Sequence, residues 1–425
     1  MAISSYLDDP ETRRALHQRT LSVVMASQVF SGAGLAAGVT VGALLAEQML
    51  GAGALAGLSA AVYTGGSAIA ALAVGRMSQR HGRRTGLAAG YAAGTLGGAG
   101  VVAAAALDSV VLLLISLLVY GAGTATNLQA RYAGADLSPP HRRGRAISSV
   151  LVTTTVGAII GPNLVAATGR AAESFGLPAL AGPFALAAVA YAIAGVILFL
   201  LLRPDPLLIS QAVRTGAMPT ATAEAAPRSA GGLTAGAATM ILTQLVMVAV
   251  MTMTPVHMRD HGHDLAATGL VISLHIAAMY LPSLVTGILV DRVGRTPVAV
   301  ASGVTLLAAG VVAATAPDDS VPLLGLALSL LGLGWNLGLV AGTAMITDAV
   351  PAARRARVQG NVDLCIALAG AGGGLASSLV MSATSYATLS ITGGLLALAT
   401  IPFVVVAGPR RRRQPVPGAP EKIAA

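Results

Sequence analysis

Residues 287–296 read GILVDRVGRT, and 212 positions earlier residues 75–84 read GRMSQRHGRR. Gly75, Arg80, Gly82 and Arg83 fall on Gly287, Arg292, Gly294 and Arg295. The same offset carries ADLSPPHRRGR, 135–145, onto TDAVPAARRAR, 347–357. Asp136, Pro139, Arg142, Arg143 and Arg145 then fall on Asp348, Pro351, Arg354, Arg355 and Arg357. Two separate loops sharing one offset mark an internal duplication. The halves are parallel copies, each with an even number of crossings, a plan that puts a substrate site near the midplane between them.

The sequence between these loops is apolar. Hydrophobic residues make up 55% of the chain and charged residues 10%, with mean hydropathy +0.77, too little polar surface for a water-soluble chain of this length. Continuous apolar runs of about 20 residues recur, long enough to cross roughly 30 Å of hydrocarbon as helices. They lack the alternation of a barrel strand. The expected spans are 18–46, 51–74, 84–106, 110–134, 144–168 and 180–202, then 233–257, 266–290, 296–315, 321–346, 356–382 and 386–408. The fold class is therefore all-α membrane protein, with twelve transmembrane helices in two six-helix halves related by a pseudo-two-fold axis along the membrane normal. We divide the chain into an N-terminal half, 1–202, a cytoplasmic linker, 203–230, a C-terminal half, 231–408, and a disordered basic tail, 409–425. The linker is Pro-, Ala- and Thr-rich and reads as flexible, without a helical pattern. No cleavable leader is expected before the first span. Cys365 is the single cysteine and reads as a small buried residue, which leaves no internal disulfide.

The net charge of +9 comes from short arginine clusters between spans. Arg76, Arg80, Arg83 and Arg84, then Arg142, Arg143 and Arg145, Arg292 and Arg295, and Arg354, Arg355 and Arg357 all belong to loops on one side; the opposite loops hold only Arg170 and Arg259. That bias predicts both termini in the cytoplasm of a bacterial inner membrane and argues against a nucleic-acid partner. No P-loop is present, so this chain alone is not expected to be an ATP-driven pump. No nucleophile–base constellation is visible, and neither enzyme activity nor a cofactor is expected.

The paired loops resemble motif A of the major facilitator superfamily, G-x-x-x-D-R-x-G-R-R/K. The second copy keeps Gly287, Asp291, Arg292, Gly294 and Arg295; the first keeps Gly75, Arg80, Gly82, Arg83 and Arg84 but has Gln79 in place of the aspartate. The resemblance covers essentially the whole chain and implies a monomeric transporter working by alternating access. It also implies a latch for the outward-facing state. The motif carboxylate would sit at the N-terminus of a helix in the opposite half, and the motif arginines would pair with an acid at the inner end of the fourth span. Asp136 matches that acid and Asp348 is its repeat; Gln79 would make the first latch weaker. GAIIGP, 157–162, resembles the antiporter motif C through Gly157, Gly161 and Pro162, with Val165 and Ala166 replacing its trailing glycines. That match implies export by proton antiport. Motif B is not clean, since Leu117 occupies its arginine position; Arg131 lies lower on the same span.

Charge inside a membrane is costly and hence informative. Asp363, in the eleventh span, is the candidate proton carrier, set against a packing role bonded to Asn361 or Gln359. His275, in the eighth, is the second candidate, because an unperturbed imidazole titrates near physiological pH. Arg131 reads as part of the inner gate near Asp136, and also as a cavity residue. Gln28, Asn127, Asn163, Gln244, Met251, Trp335 and Asn336 are the other substrate-cavity candidates. Aromatic residues are only 3% of the chain, which favours a small aliphatic or amphiphilic substrate over a planar cation. His257, His261 and His263, near the end of the seventh span, have a spacing compatible with a divalent metal. The commoner reading, exposed interfacial histidines, is taken here, and no metal is expected.

These readings converge on a secondary transporter in the lipid bilayer, coupled to protons and exporting small hydrophobic or amphiphilic compounds. A proton-coupled uptake symporter or facilitator of a small metabolite remains the main alternative. A lipid translocator and a non-transporting membrane receptor are lesser ones.

Overall fold

The computed structural model describes residues 10–50, 56–216 and 230–407. The basic tail lies outside the described residues, as does the linker beyond residue 216. The N-terminal half contains α1 (Pro10–Leu50), α2 (Ala56–His81), α3 (Arg83–Ala106), α4 (Val110–Ala135), α5 (Arg143–Asn163), α6 (Val165–Ser174) and α7 (Gly182–Leu201). After α8 (Pro206–Gly216), the C-terminal half contains α9 (Ala230–Asp260), α10 (Leu265–Tyr280), α11 (Ser283–Arg292), α12 (Arg295–Thr315), α13 (Val321–Ala349), α14 (Ala352–Ala383), α15 (Tyr386–Ala397) and α16 (Thr400–Ala407). Among the described residues, ten segments are helical, long and apolar enough to cross a bilayer. With α1 and α2 they make the twelve crossings.

Three crossings are built from two helices each. α10 and α11 are joined through Leu281 and Pro282, where the proline cannot donate to the preceding turn. α15 and α16 break at Leu398–Ala399. α5 ends at Asn163, directly after Pro162, and Leu164 turns the chain into α6.

Each half has its own core. In the N-terminal half, Tyr91, Tyr120, Tyr191 and Phe184 are fully buried together, with Tyr91–Tyr191, Tyr120–Tyr191 and Tyr120–Phe184 centroids 5.7, 5.6 and 5.3 Å apart. Gly34 and Gly123 flank the Tyr191 ring so closely that a Cβ would lie 2.6 and 2.4 Å from its carbons. Some of the abundant glycine therefore makes room for a ring as well as for a neighbouring helix. On the outside, Ile69, Leu107, Leu375 and Leu379 are exposed, as a bilayer solvent allows. Cys365 is exposed on this surface too, which corrects its reading as buried: a thiol among apolar residues is as compatible with lipid as with a core.

The linker also departs from expectation. Residues 206–216 form α8, with Leu207 and Ile209 buried and Leu208 exposed. The Asp205 carboxylate caps it, accepting from Leu207 N at 3.0 Å and Leu208 N at 3.2 Å, and Pro206 follows in the first turn. The second carboxylate oxygen of Asp205 accepts from Arg84 N at 2.7 Å. One acid thus caps α8 and α3 together.

Candidate functional site

The two halves meet chiefly where α2 packs on α14 and α11 on α5. Small residues permit this approach. A Cβ on Gly75 would lie 2.8 Å from Gly360 Cα, and one on Gly287 would lie 2.6 Å from Ser148 Oγ. Gly75 and Gly287 are repeat equivalents, as are Ser148 and Gly360, so the two contacts are pseudo-symmetry copies. Both lie toward the face carrying the arginine-rich loops.

At that face the motif loops cross between halves. The Asp291 carboxylate accepts from Gly144 N at 2.9 Å and Arg145 N at 3.0 Å, in the first turn of α5. Its repeat equivalent, Gln79, accepts through Oε1 from Ala356 N at 2.9 Å and Arg357 N at 3.3 Å, near the start of α14. Ala356 and Arg357 are the repeat equivalents of Gly144 and Arg145. Gly82 and Gly294 hold φ of +89° and +108°, a region that L side chains avoid; this accounts for glycine at both motif positions. Because a negative charge at a helix N-terminus contributes about 0.3–1 kcal/mol, Gln79→Asp should favour the closed arginine-rich face about two- to fivefold. Inter-half distance measurements by paired spin labels would read that shift.

Behind the loops lie two triads. Asp136 pairs with Arg83 of its own half at 2.8 Å and with Arg355 of the other at 3.4 Å, and these side chains are at most 1% exposed. Arg83 also donates to Gln359 Oε1. Asp348 pairs with Arg295 at 3.0 Å and with Arg143 across the halves. This second triad is wetter, with Asp348 33% exposed. Arg80 and Arg292 take no part in these contacts; Arg80 is exposed.

Deeper in, Arg131 of α4 donates through Nη2 to Asp363 Oδ1 of α14 at 2.8 Å, and Tyr132 OH donates to the same oxygen at 3.1 Å. Arg131 Nε donates to Thr343 Oγ1 at 3.0 Å. Thr343 is the repeat equivalent of Arg131, so this contact sits on the pseudo-two-fold axis. Arg131 is therefore not set against Asp136. Asp363 is not bonded to Asn361 or Gln359 either; it is held across the halves by a buried cation. Asp363 Oδ2 has no hydrogen-bond partner among the described residues. His275 lies elsewhere, fully buried between α10 and α13, with Nδ1 2.8 Å from the Leu328 carbonyl and no acidic partner among the described residues.

The polar cavity candidates divide by how fully they are already bonded. Gln28 Nε2 donates to Thr154 Oγ1 at 3.0 Å and to the Asn127 carbonyl at 3.1 Å, while its Oε1 accepts from Tyr91 at 2.6 Å and Ser31 at 3.0 Å. Asn127 Nδ2 donates to Ser31 at 2.7 Å. Asn336 bonds Thr286, Met279 O and Ser283 at 2.6–2.7 Å. Gln28 and Asn336, each bonded through both ends of its amide, hold their own halves together and leave little for a substrate. Gln244 and Trp335 are joined at 2.7 Å, and Gln244, with Met251, is only partly buried. The side chains of Pro162 and Asn163 lie outside the described residues. Gly157 packs on α1, where a Cβ would meet the Val29 carbonyl at 2.1 Å.

Two parallel six-helix halves meeting at one face through duplicated loops define a two-half membrane transporter. The sequence profile of the Major Facilitator Superfamily matches residues 21–232 and 235–424. The chain is 58% identical over 409 residues to the MFS-type transporter YdeG of Bacillus subtilis (strain 168), covering 95% of each. The chain belongs to the Major Facilitator Superfamily. The riboflavin transporter RfnT of Brucella anthropi is 34% identical over 55% of this chain and 56% of its own. Among solved structures, the human organic anion transporter MFSD10 superposes with a TM-score of 0.75 at 16% identity, over 91% of this chain and 99% of that one.

Proposed function

We propose that this transporter is proton-coupled, with Asp363 as the coupling carboxylate and Arg131 as its partner, and that it exports small hydrophobic or amphiphilic compounds across a bacterial inner membrane as a monomer. The arginine-rich face is then cytoplasmic. The observation that carries this reading is the buried Arg131–Asp363 pair joining the halves close to the axis. With Asp363 ionised, separating the halves at this face leaves two unpaired charges in a low-dielectric interior, which is strongly unfavourable. A proton entering from the outer side neutralises Asp363, releases Arg131 and lets the cytoplasmic face open. There the proton leaves and a compound binds. Re-forming the pair on closure commits the carrier outward, so one proton enters for each compound expelled.

Motif C supports the direction: Gly157 and Gly32 hold α5 against α1. A second reading, proton-linked uptake of an anion, is favoured by Arg131 itself, because a protonated Asp363 leaves a guanidinium ready for another carboxylate. Proteoliposomes with an imposed pH gradient separate the two. For export, a compound in the acidic-side solution is not concentrated, whereas compound on the alkaline side moves toward acid and proton moves oppositely. For uptake, compound and proton move together. Flux indifferent to the gradient overturns proton coupling in either form.

A further inference from the structure

At the end of the molecule opposite the arginine-rich face, HMRDHGH, 257–263, spans the last turn of α9 and the turn that follows it. His257, in the last turn of α9, and His261, just past its end, are four residues apart, with ring centroids 4.3 Å apart. Asp318, from the loop between α12 and α13, faces both. His257 Nε2 lies 3.5 Å from Asp318 Oδ1, and His261 Nε2 lies 3.5 Å from Oδ2. The three ligand atoms fall within 4.8 Å of one another. A tetrahedral zinc with bonds of about 2.0–2.1 Å has ligand–ligand edges of roughly 3.3 Å, so the spacing suits a shared cation with little rearrangement.

The surroundings fix the donor atom of His261. His261 Nδ1 lies 2.8 Å from the His257 carbonyl. A carbonyl only accepts, so Nδ1 carries the proton and Nε2 presents its lone pair toward Asp318. His257 is 7% exposed and stacked on Tyr386 at 4.3 Å and 12°, which corrects its reading as an exposed interfacial residue. His263 donates through Nε2 to the Asp318 backbone carbonyl at 2.7 Å, holding the loop against α9. Two imidazoles and one carboxylate suit a borderline divalent cation; calcium and magnesium prefer all-oxygen ligands.

We propose that His257, His261 and Asp318 form a site for one borderline divalent cation of the Zn2+ class, with water completing a four-coordinate shell. The ion would tie the end of α9 to the α12–α13 loop, within the C-terminal half and away from the coupling pair.

The test uses full-length protein in detergent without a polyhistidine tag, titrated with Co2+ and back-titrated with Zn2+. Wild type should bind one Co2+ with the intense visible absorption of a tetrahedral site, and Zn2+ should displace it. His261→Ala and Asp318→Asn, both at accessible positions, should each weaken binding tenfold or more and abolish the tetrahedral bands; His141→Ala, an exposed histidine at the other face, should change nothing. Absence of a one-to-one tetrahedral complex in wild type overturns the site. So does binding of equal strength in wild type and both variants, which is adventitious surface binding only.

Discussion

Alanine at position 136 should open the arginine-rich face. Asp136 neutralises two buried guanidiniums, Arg83 and Arg355, one from each half. Removing one partner of a buried pair costs about 3–5 kcal/mol, and here that cost falls on the closed arrangement, because opening hydrates both arginines. The closed-to-open ratio should fall by two or more powers of ten. Asp348→Ala removes the repeat-equivalent acid, but that carboxylate is one-third exposed. Exposed pairs contribute about 0–1 kcal/mol, so its effect should be fivefold or less. Spin-label distances across the face, measured on both variants, would check the asymmetry. Equal effects would mean that the difference in burial does not set the strength of the two triads.

Asparagine at position 363 should uncouple transport. It mimics the protonated acid, removes the countercharge from Arg131 and leaves nothing to titrate at that position. Flux driven by a pH gradient should fall at least a hundredfold, while exchange of compound across the membrane without a gradient persists. Arg131→Gln alone should be worse for folding, since it strands an ionised Asp363 in a buried site. Arg131→Gln with Asp363→Asn should recover thermal stability, because a buried ion pair replaced by neutral groups is often nearly neutral in stability, and yet should not recover coupling. Stability and gradient-driven flux measured on all three variants would distinguish a coupling pair from a purely structural one.

Much of the architecture is legible in the sequence. The offset of 212 residues, read from two arginine-rich loops, also relates contacts. It maps Gln79 onto Asp291, their amide donors onto each other, and the Asp136 triad onto the Asp348 triad. Hydropathy found the spans because a bilayer demands long apolar runs, but the same demand hides which side of each helix is inside. Leucines face lipid and core alike, so hydropathy does not tell that Cys365 faces outward.

The pairing of Arg131 with Asp363 was not legible, because the two charges are 232 residues apart and lie in different halves. The repeat held a partial signal: Arg131 aligns with Thr343, and a residue touching its own equivalent must lie near the axis. The helix at 206–216 has an N-cap and first-turn signal in Asp205 and Pro206, but the proline-rich composition around it reads as linker. Asp318 was invisible as a partner of His257 because loop acids carry no periodicity. Gln28 and Asn336 read as polar residues inside the membrane, but composition does not reveal that their hydrogen bonds are already spent within one half.

The central claim is that protonation of Asp363 releases the two halves at the arginine-rich face. The most direct measurement places spin labels at His81 and Ala353, both near that face, in a Cys365→Ser background, and follows their separation as pH falls. The account predicts a short distance at high pH, a growing long-distance population as pH falls, and in Asp363→Asn a raised long-distance population that does not change with pH. A pH-dependent separation that survives unchanged in Asp363→Asn would contradict it.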